Sequence, residues 1–143
     1  MRKLLKKQQG FTLLELLIVI VIIGILALII VPGLASGPKR ARDAQRKSDL
    51  RAVKNALETY YNDNTAYPAG NYAGLGTYLV TAYIPSMPQD PKSGNPAYTY
   101  TPTPSGCAAG ACTSYTLDAT LENNKDSQIK SGTTNTYEVT SVN

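Results

Sequence analysis

Histidine and tryptophan are absent from this 143-residue sequence, phenylalanine occurs once, as Phe11, and cysteine only twice. Without histidine the chain lacks the commonest general base and metal ligand. Two cysteines are too few for a structural zinc site, which needs further Cys or His. The serines have no evident base, and no Gly-rich phosphate loop occurs. Together these absences point away from an enzyme. With so little Phe and Trp, any core must be built from aliphatic residues and the ten tyrosines. Buried tyrosine hydroxyls need partners or water, so a thin core with polar edges is expected.

Charge is also unevenly placed. The formal net charge is +4, but Arg2, Lys3, Lys6 and Lys7 supply all of it; the rest holds ten cations and ten acids. The basic balance is therefore poor evidence for a nucleic-acid partner. Residues 11–31 carry one charge only, Glu15, in a run of Leu, Ile and Val closed by Pro32 and Gly33. As a helix this run reaches roughly 30 Å, the thickness of a bilayer's hydrocarbon core, and it reads as a membrane span. A secretory signal is the rival reading. Its apolar core would be too long and no Ala-x-Ala site follows, although the segment from Pro32 to Gly37 has the small residues of a cleavage region. Glu15 argues against the rival. A carboxylate in an apolar run is costly and is by default a functional hypothesis with a partner to be named, unless it reaches water at the interface. Pro32 and Pro38, with Gly33 and Gly37 beside them, form a double break that reads by itself as a hinge between the span and a soluble helix.

The basic leader, then Gly10, Phe11, Thr12, Leu13, Leu14 and Glu15, the apolar run and Pro32 together resemble the N-terminus of type IV prepilins and pseudopilins. The resemblance implies that a prepilin peptidase cuts after Gly10 and that the new N-terminus, Phe11, is N-methylated. It implies that Glu15 pairs with the N-terminal amine of a neighbouring subunit, that the apolar helix becomes the core of a helical filament, and that this helix kinks or melts for a turn within residues 24–38, near Pro32. Copies of the chain itself, an inner-membrane assembly platform and minor pilins are the implied partners. The physics is compatible with this. Cutting after Gly10 removes four cations and leaves one ammonium and one carboxylate in an apolar column, and buried charges persist when paired. A plain linker role for Gly10 stays open. Cations flank the span on both sides, which leaves the positive-inside rule undecided. The resemblance implies a cytoplasmic N-terminus, a single-pass precursor in the cytoplasmic membrane and then a filament at the cell surface.

From Lys39 to about Asn62 the pattern is helical. Leu50, Val53, Leu57 and Tyr60 or Tyr61 form one apolar stripe, and Ala41, Ala44, Ala52 and Ala56 favour the helix. Residues 39–54 hold seven cations against Asp43 and Asp49. Such a run reads first as a solvated face; anionic lipid headgroups and DNA are the other readings. From residue 55 onward acids exceed cations, so a basic stem and an acidic head invite contacts between stacked subunits.

Asn62, Asp63, Asn64 and then Pro68 end the helix. Residues 68–97 are punctuated by Pro and Gly, with a short apolar piece at 78–84 expected to form one helical turn or a strand against the stripe. The loop containing Asp90, Pro91, Gly94, Pro96 and Tyr98 resembles that of major pseudopilins and small pilins, with Lys92 in place of the family's aromatic. Alternation at 98–101 and at 115–122 predicts a hairpin with its tip at 102–114, and 136–140 a last strand. Cys107 and Cys112, separated by four Ala and Gly residues, fit a small disulfide loop at that tip in an oxidising compartment. Asp118, Glu122 and Asp126 are oxygen ligands in a short span. Calcium is conceivable there, as in the related pseudopilins, but no EF-hand spacing exists and a solvated turn is the plain reading.

The expected architecture is α+β: a long N-terminal helix, half membrane-spanning and half amphipathic, broken near Pro32 and Pro38 and packed on a small antiparallel head. The divisions are a cleaved leader (1–10), a filament-core helix (11–31), a stem helix (32–62) and a head (63–143). The expected function is a structural subunit of a surface pilus. A pseudopilin of a secretion or DNA-uptake system is the alternative, and a monomeric tethered domain the outlier.

Overall fold

The computed structural model describes residues 10–34, 37–94 and 98–142, with residues 29–34 described by backbone alone. The leader cations, residues 35–36 within the expected break, and Asn95, Pro96 and Ala97 lie outside the described residues. The chain forms two separate compact units, Met1–Gly37 and Pro38–Asn143.

In the first unit, α1 runs Leu13–Leu34 for 22 residues, with Pro32 inside its last turn. Its β-branched residues are indifferent helix formers in water, so the helix depends on an apolar surrounding or a partner. Side chains of α1 are described as far as Leu28, and among the described residues no helix is long and apolar enough to cross a membrane.

The second unit begins with α2 (Gly37–Asn64), 28 residues long. Pro38 sits in its first turn, where the missing N–H has no intrahelical partner to lose. The amphipathic stem expected at 32–62 therefore starts at Gly37 and shares one compact unit with the head. The helix stops as predicted at Asn64. The Asn64 side chain donates to the Tyr60 carbonyl at 2.9 Å, and Thr65 turns the chain with a positive φ of 59°. A 3₁₀ turn (Tyr72–Leu75) leads into the one-turn helix α3 (Gly76–Leu79), where Leu75 and Leu79 are fully buried. The apolar piece expected at 78–84 is thus partly helical, and it closes with a Val80–Ile84 bridge.

Three antiparallel strands follow in the order β1-β2-β3: β1 (Thr99–Thr103), β2 (Ser114–Thr120) and β3 (Thr136–Thr140). Tyr100 opposes Leu117, which opposes Val139, on the inward face. Thr99, Asp118 and Glu138 share the outward face. Pro102 is tolerated because β1 is an edge strand. Cys107 and Cys112 are bonded in the β1–β2 connection, and the Tyr67 N–H donates to the Cys112 carbonyl at 2.9 Å.

The α2 stripe packs on the inner face of this sheet: Leu50, Val53, Leu57, Tyr67, Tyr100, Tyr115 and Leu117 belong to one buried cluster. Five of the buried tyrosine hydroxyls find acceptors. Tyr67 and Tyr115 both donate to Glu58, Tyr98 to Asp49, Tyr100 to the Pro68 carbonyl and Tyr72 to the Pro88 carbonyl. Rings interlock as well, with Tyr61 stacked on Tyr67 at 4.6 Å and Tyr67 edge-on to Tyr115 at 4.7 Å.

The expectation of a solvated basic face on α2 fails at Arg46, which is 0% exposed. Its guanidinium grips Asp90 with two bonds, 2.7 and 2.9 Å, and donates to Asp43 at 2.7 Å. It also lies 3.1 Å from Glu122, which Arg42 holds by two bonds of 2.6 Å. Asp43 accepts the backbone N–H groups of Glu122 and Asn123, both at 2.9 Å. Lys47 pairs with Asp126 at 2.6 Å. The attraction between basic stem and acidic head is therefore met inside one subunit. The physical reason is that a fork of donors in a dry site is satisfied only by carboxylates brought from other loops.

Arg46→Met leaves Asp43 and Asp90 buried without their cation, and should cost about 3–5 kcal/mol, read from urea unfolding of the detergent-solubilised chain. Glu122 is held down to about 2, first by the Arg42 hydrogen bonds and then by Arg46, against its ordinary 4.5. Because its folded value is depressed, its stabilising share is complete above 4.5 and is lost as pH falls toward 2. Acid titration of the wild type should show head unfolding in that window, and Glu122→Gln should flatten it.

Candidate functional site

The N-terminal unit presents an apolar column with nothing of its own to cover it. Phe11 is 85% exposed, and Leu13 to Leu28 are exposed along the whole described length of α1. A patch of this size marks a binding surface. Gly10 and Phe11 precede the helix and are exposed, with open space around the Gly10 α-carbon.

Glu15 sits in the first turn of α1. Its Oε2 accepts the Thr12 N–H at 2.9 Å and the Thr12 hydroxyl at 2.7 Å, while the Glu15 N–H donates back to the Thr12 Oγ1 at 3.2 Å. This reciprocal pair is a capping box, and it satisfies amide donors that the first turn would otherwise leave open. Thr12 is the functional residue that reading for charge missed. The signal was present, since Thr followed three residues later by Glu before an apolar run is the sequence form of that cap. Both Thr12 bonds use Oε2, and Oε1 has no hydrogen bond among the described residues.

The other expected site residues scatter over the second unit. Asp118 faces outward from β2 opposite Glu138, and its Oδ1 is buried with no hydrogen-bond partner. Burial first, and the Glu138 charge second, push its carboxyl upward. Glu122 is held by Arg42 and Arg46. Asp126 is bound to Lys47 and lowered first by that hydrogen bond. These three carboxylates do not converge, and among the described residues no three His, Cys, Asp or Glu side chains come together to hold a metal.

A sequence profile described as the prokaryotic N-terminal methylation motif matches residues 5–31, the stretch that holds Gly10, Thr12, Glu15 and most of α1. The type II secretion system core protein G of Aeromonas hydrophila is 40% identical over 104 residues, 64% of this chain and 71% of that protein. The protein of the same name from Escherichia coli strain K12 is 41% identical over 98 residues, 59% and 67% of the two chains. That from Vibrio cholerae is 38% identical over 100 residues, 62% and 68%. This chain belongs to the type IV pilin and pseudopilin family. No solved structure matches it. As a pilin-like protein it is a filament subunit assembled through its N-terminal motif, and processing by prepilin peptidase and packing with other pseudopilins follow from that membership.

In this pilin-like subunit the capping box fixes where α1 begins. Thr12→Ala should weaken the helix start by about 1 kcal/mol, and Thr12→Ser should preserve it. Backbone amide exchange of residues 12–16 in detergent micelles should rise for the first variant alone.

Proposed function

We propose that the chain is the principal subunit of a secretion pseudopilus rather than of a long surface pilus. The observation that carries this is the reach of the similarity. The methylation motif alone ends at residue 31, whereas identity near 40% to secretion core G proteins runs over 104 residues, 64% of this chain, and so extends well beyond the motif. A shared apolar helix would make any pilin look related; similarity that continues past it is more particular. The order of readings thus differs from the one drawn from the sequence, which put the surface pilus first. Lys92 remains a departure from the pseudopilin loop.

In this reading the precursor is held in the cytoplasmic membrane by residues 11–31, N-terminus inside. Peptidase cuts between Gly10 and Phe11, Phe11 is methylated, and the assembly platform lifts subunits into the filament. Minor pseudopilins start it. Glu15 then has two duties on its two oxygens. Oε2 caps its own helix, and Oε1 accepts the ammonium of Phe11 from the neighbouring copy. An unpaired carboxylate in lipid is costly, so the pair both drives assembly and sets its register. Once paired, the exposed column exchanges lipid for copies of itself, an apolar-to-apolar exchange favoured by close packing rather than by removal from water. The work is structural.

Glu15→Gln keeps an oxygen for the cap and removes the charge. It should leave the methylated chain folded in membranes and abolish filaments in cross-linking gels, whereas a tethered monomer would be indifferent. Deleting the gene should leave normally released proteins trapped inside the cell envelope. Normal release, together with abundant chain beginning at methylated Phe11 in sheared surface filaments at native expression, would instead make it a surface pilin.

A further inference from the structure

The second unit consumes its acids internally and leaves cations over. Among the described residues, every carboxylate side chain there except Asp118 accepts a hydrogen bond within the chain. Lys39, Arg40, Arg51, Lys54, Lys92 and Lys125 have no carboxylate partner among the described residues. Two of these six meet at one place. A hollow of about 410 Å³ on the flank of α2 is lined by Arg40, Lys47, Asn123, Lys125, Asp126 and Ser127. Asp126 is spent on Lys47, so Arg40 and Lys125 bring two uncompensated charges to a concavity that also offers a hydroxyl and an amide. Arg40, Lys125 and Ser127 are exposed.

We propose that this hollow seats the phosphate of an anionic lipid headgroup while the chain is held in the membrane before assembly. The proposal rests on the membrane-held precursor described above. Chain reach favours a lipid over other anions. Five residues lie between Leu34, the end of α1, and Arg40. Covalent geometry keeps them within about 20 Å however the intervening residues run, so Arg40 cannot leave the neighbourhood of the headgroup layer. A second copy of the chain is a poorer partner, because every described carboxylate side chain of its second unit except Asp118 is already engaged within the chain. A nucleic acid is disfavoured by the lining, which has no aromatic side chain on which a base would stack. The hollow would hold the head down on the bilayer, and leaving the membrane for the filament would release the lipid.

The test uses the processed full-length chain in vesicles of phosphatidylcholine alone or mixed with phosphatidylglycerol. A nitroxide at Asn124→Cys, an exposed neighbour outside the lining, reports collision with a headgroup-tethered nickel chelate. Each basic residue near an anionic surface contributes on the order of tenfold or less, so the two should shift the docked population about thirtyfold on adding phosphatidylglycerol. Arg40→Gln with Lys125→Gln should return it to the phosphatidylcholine value. Both side chains are exposed and unpartnered, so folding is not at stake, and circular dichroism checks it. Arg51→Gln, outside the hollow, should keep most of the shift. An equal loss with Arg51→Gln would mean diffuse charge and overturn the hollow as a site. Equal relaxation in the two lipids, for a chain that floats with both, overturns the proposal alone. A chain that floats with neither overturns the membrane reading and the proposal with it. Displacement by a short DNA duplex at matched ionic strength would reassign the cations to nucleic acid and overturn the lipid.

Discussion

Arg46 holds the second unit in register. Its guanidinium is fully buried, and it is acceptable there only because carboxylates from three places surround it: Asp43 one turn back on α2, Asp90 from the proline-rich loop and Glu122 from the turn after β2. A buried charge with one partner missing is a large penalty, so the loops are not free to choose other positions. Asp43 extends the constraint by accepting the two backbone N–H groups that follow β2. Ionic groups here supply specificity, while the stripe of Leu50, Val53 and Leu57 supplies the apolar area.

The two units thus have opposite economies. The second largely meets its own needs: its described acids other than Asp118 are answered, five of its buried tyrosine hydroxyls have acceptors, and its apolar stripe is covered by its own sheet. The first is wholly dependent. Phe11 and the aliphatic side chains up to Leu28 are exposed, and only lipid or copies of the same helix provide a matching surface. A subunit built this way can leave a membrane for a filament without refolding its head, because nothing in the head's bonding needs to change.

Glu15 links local and collective structure. As a capping residue it belongs to its own helix start, bonded to Thr12. As the single carboxylate of the apolar column it is also the group whose solvation changes most when the surroundings change. The same side chain can serve both purposes because a carboxylate has more acceptor sites than the cap employs.

Much of this protein was legible from local pattern. The length and apolarity of residues 11–31, the end of α2 near Asn64, the Leu50–Val53–Leu57 stripe, the alternation of β2 and the small Cys107–Cys112 loop all rest on spacings of a few residues, which periodicity and turn chemistry report directly. Thr12 was equally local, and was missed because the motif was read for its charge rather than its cap. What the sequence could not assign was the fate of charges distant along the chain. Arg46 and Arg51 look alike on α2, yet one is sealed among carboxylates from 44 and 76 residues away and the other faces solvent. Likewise Asp118, Glu122 and Asp126 share a short span of sequence, yet Glu122 goes to Arg42 and Arg46, Asp126 to Lys47, and the Asp118 Oδ1 is left without a hydrogen-bond partner. Side-chain burial on a helix flank depends on which loop arrives over it, and loop arrival is a property of the tertiary structure alone.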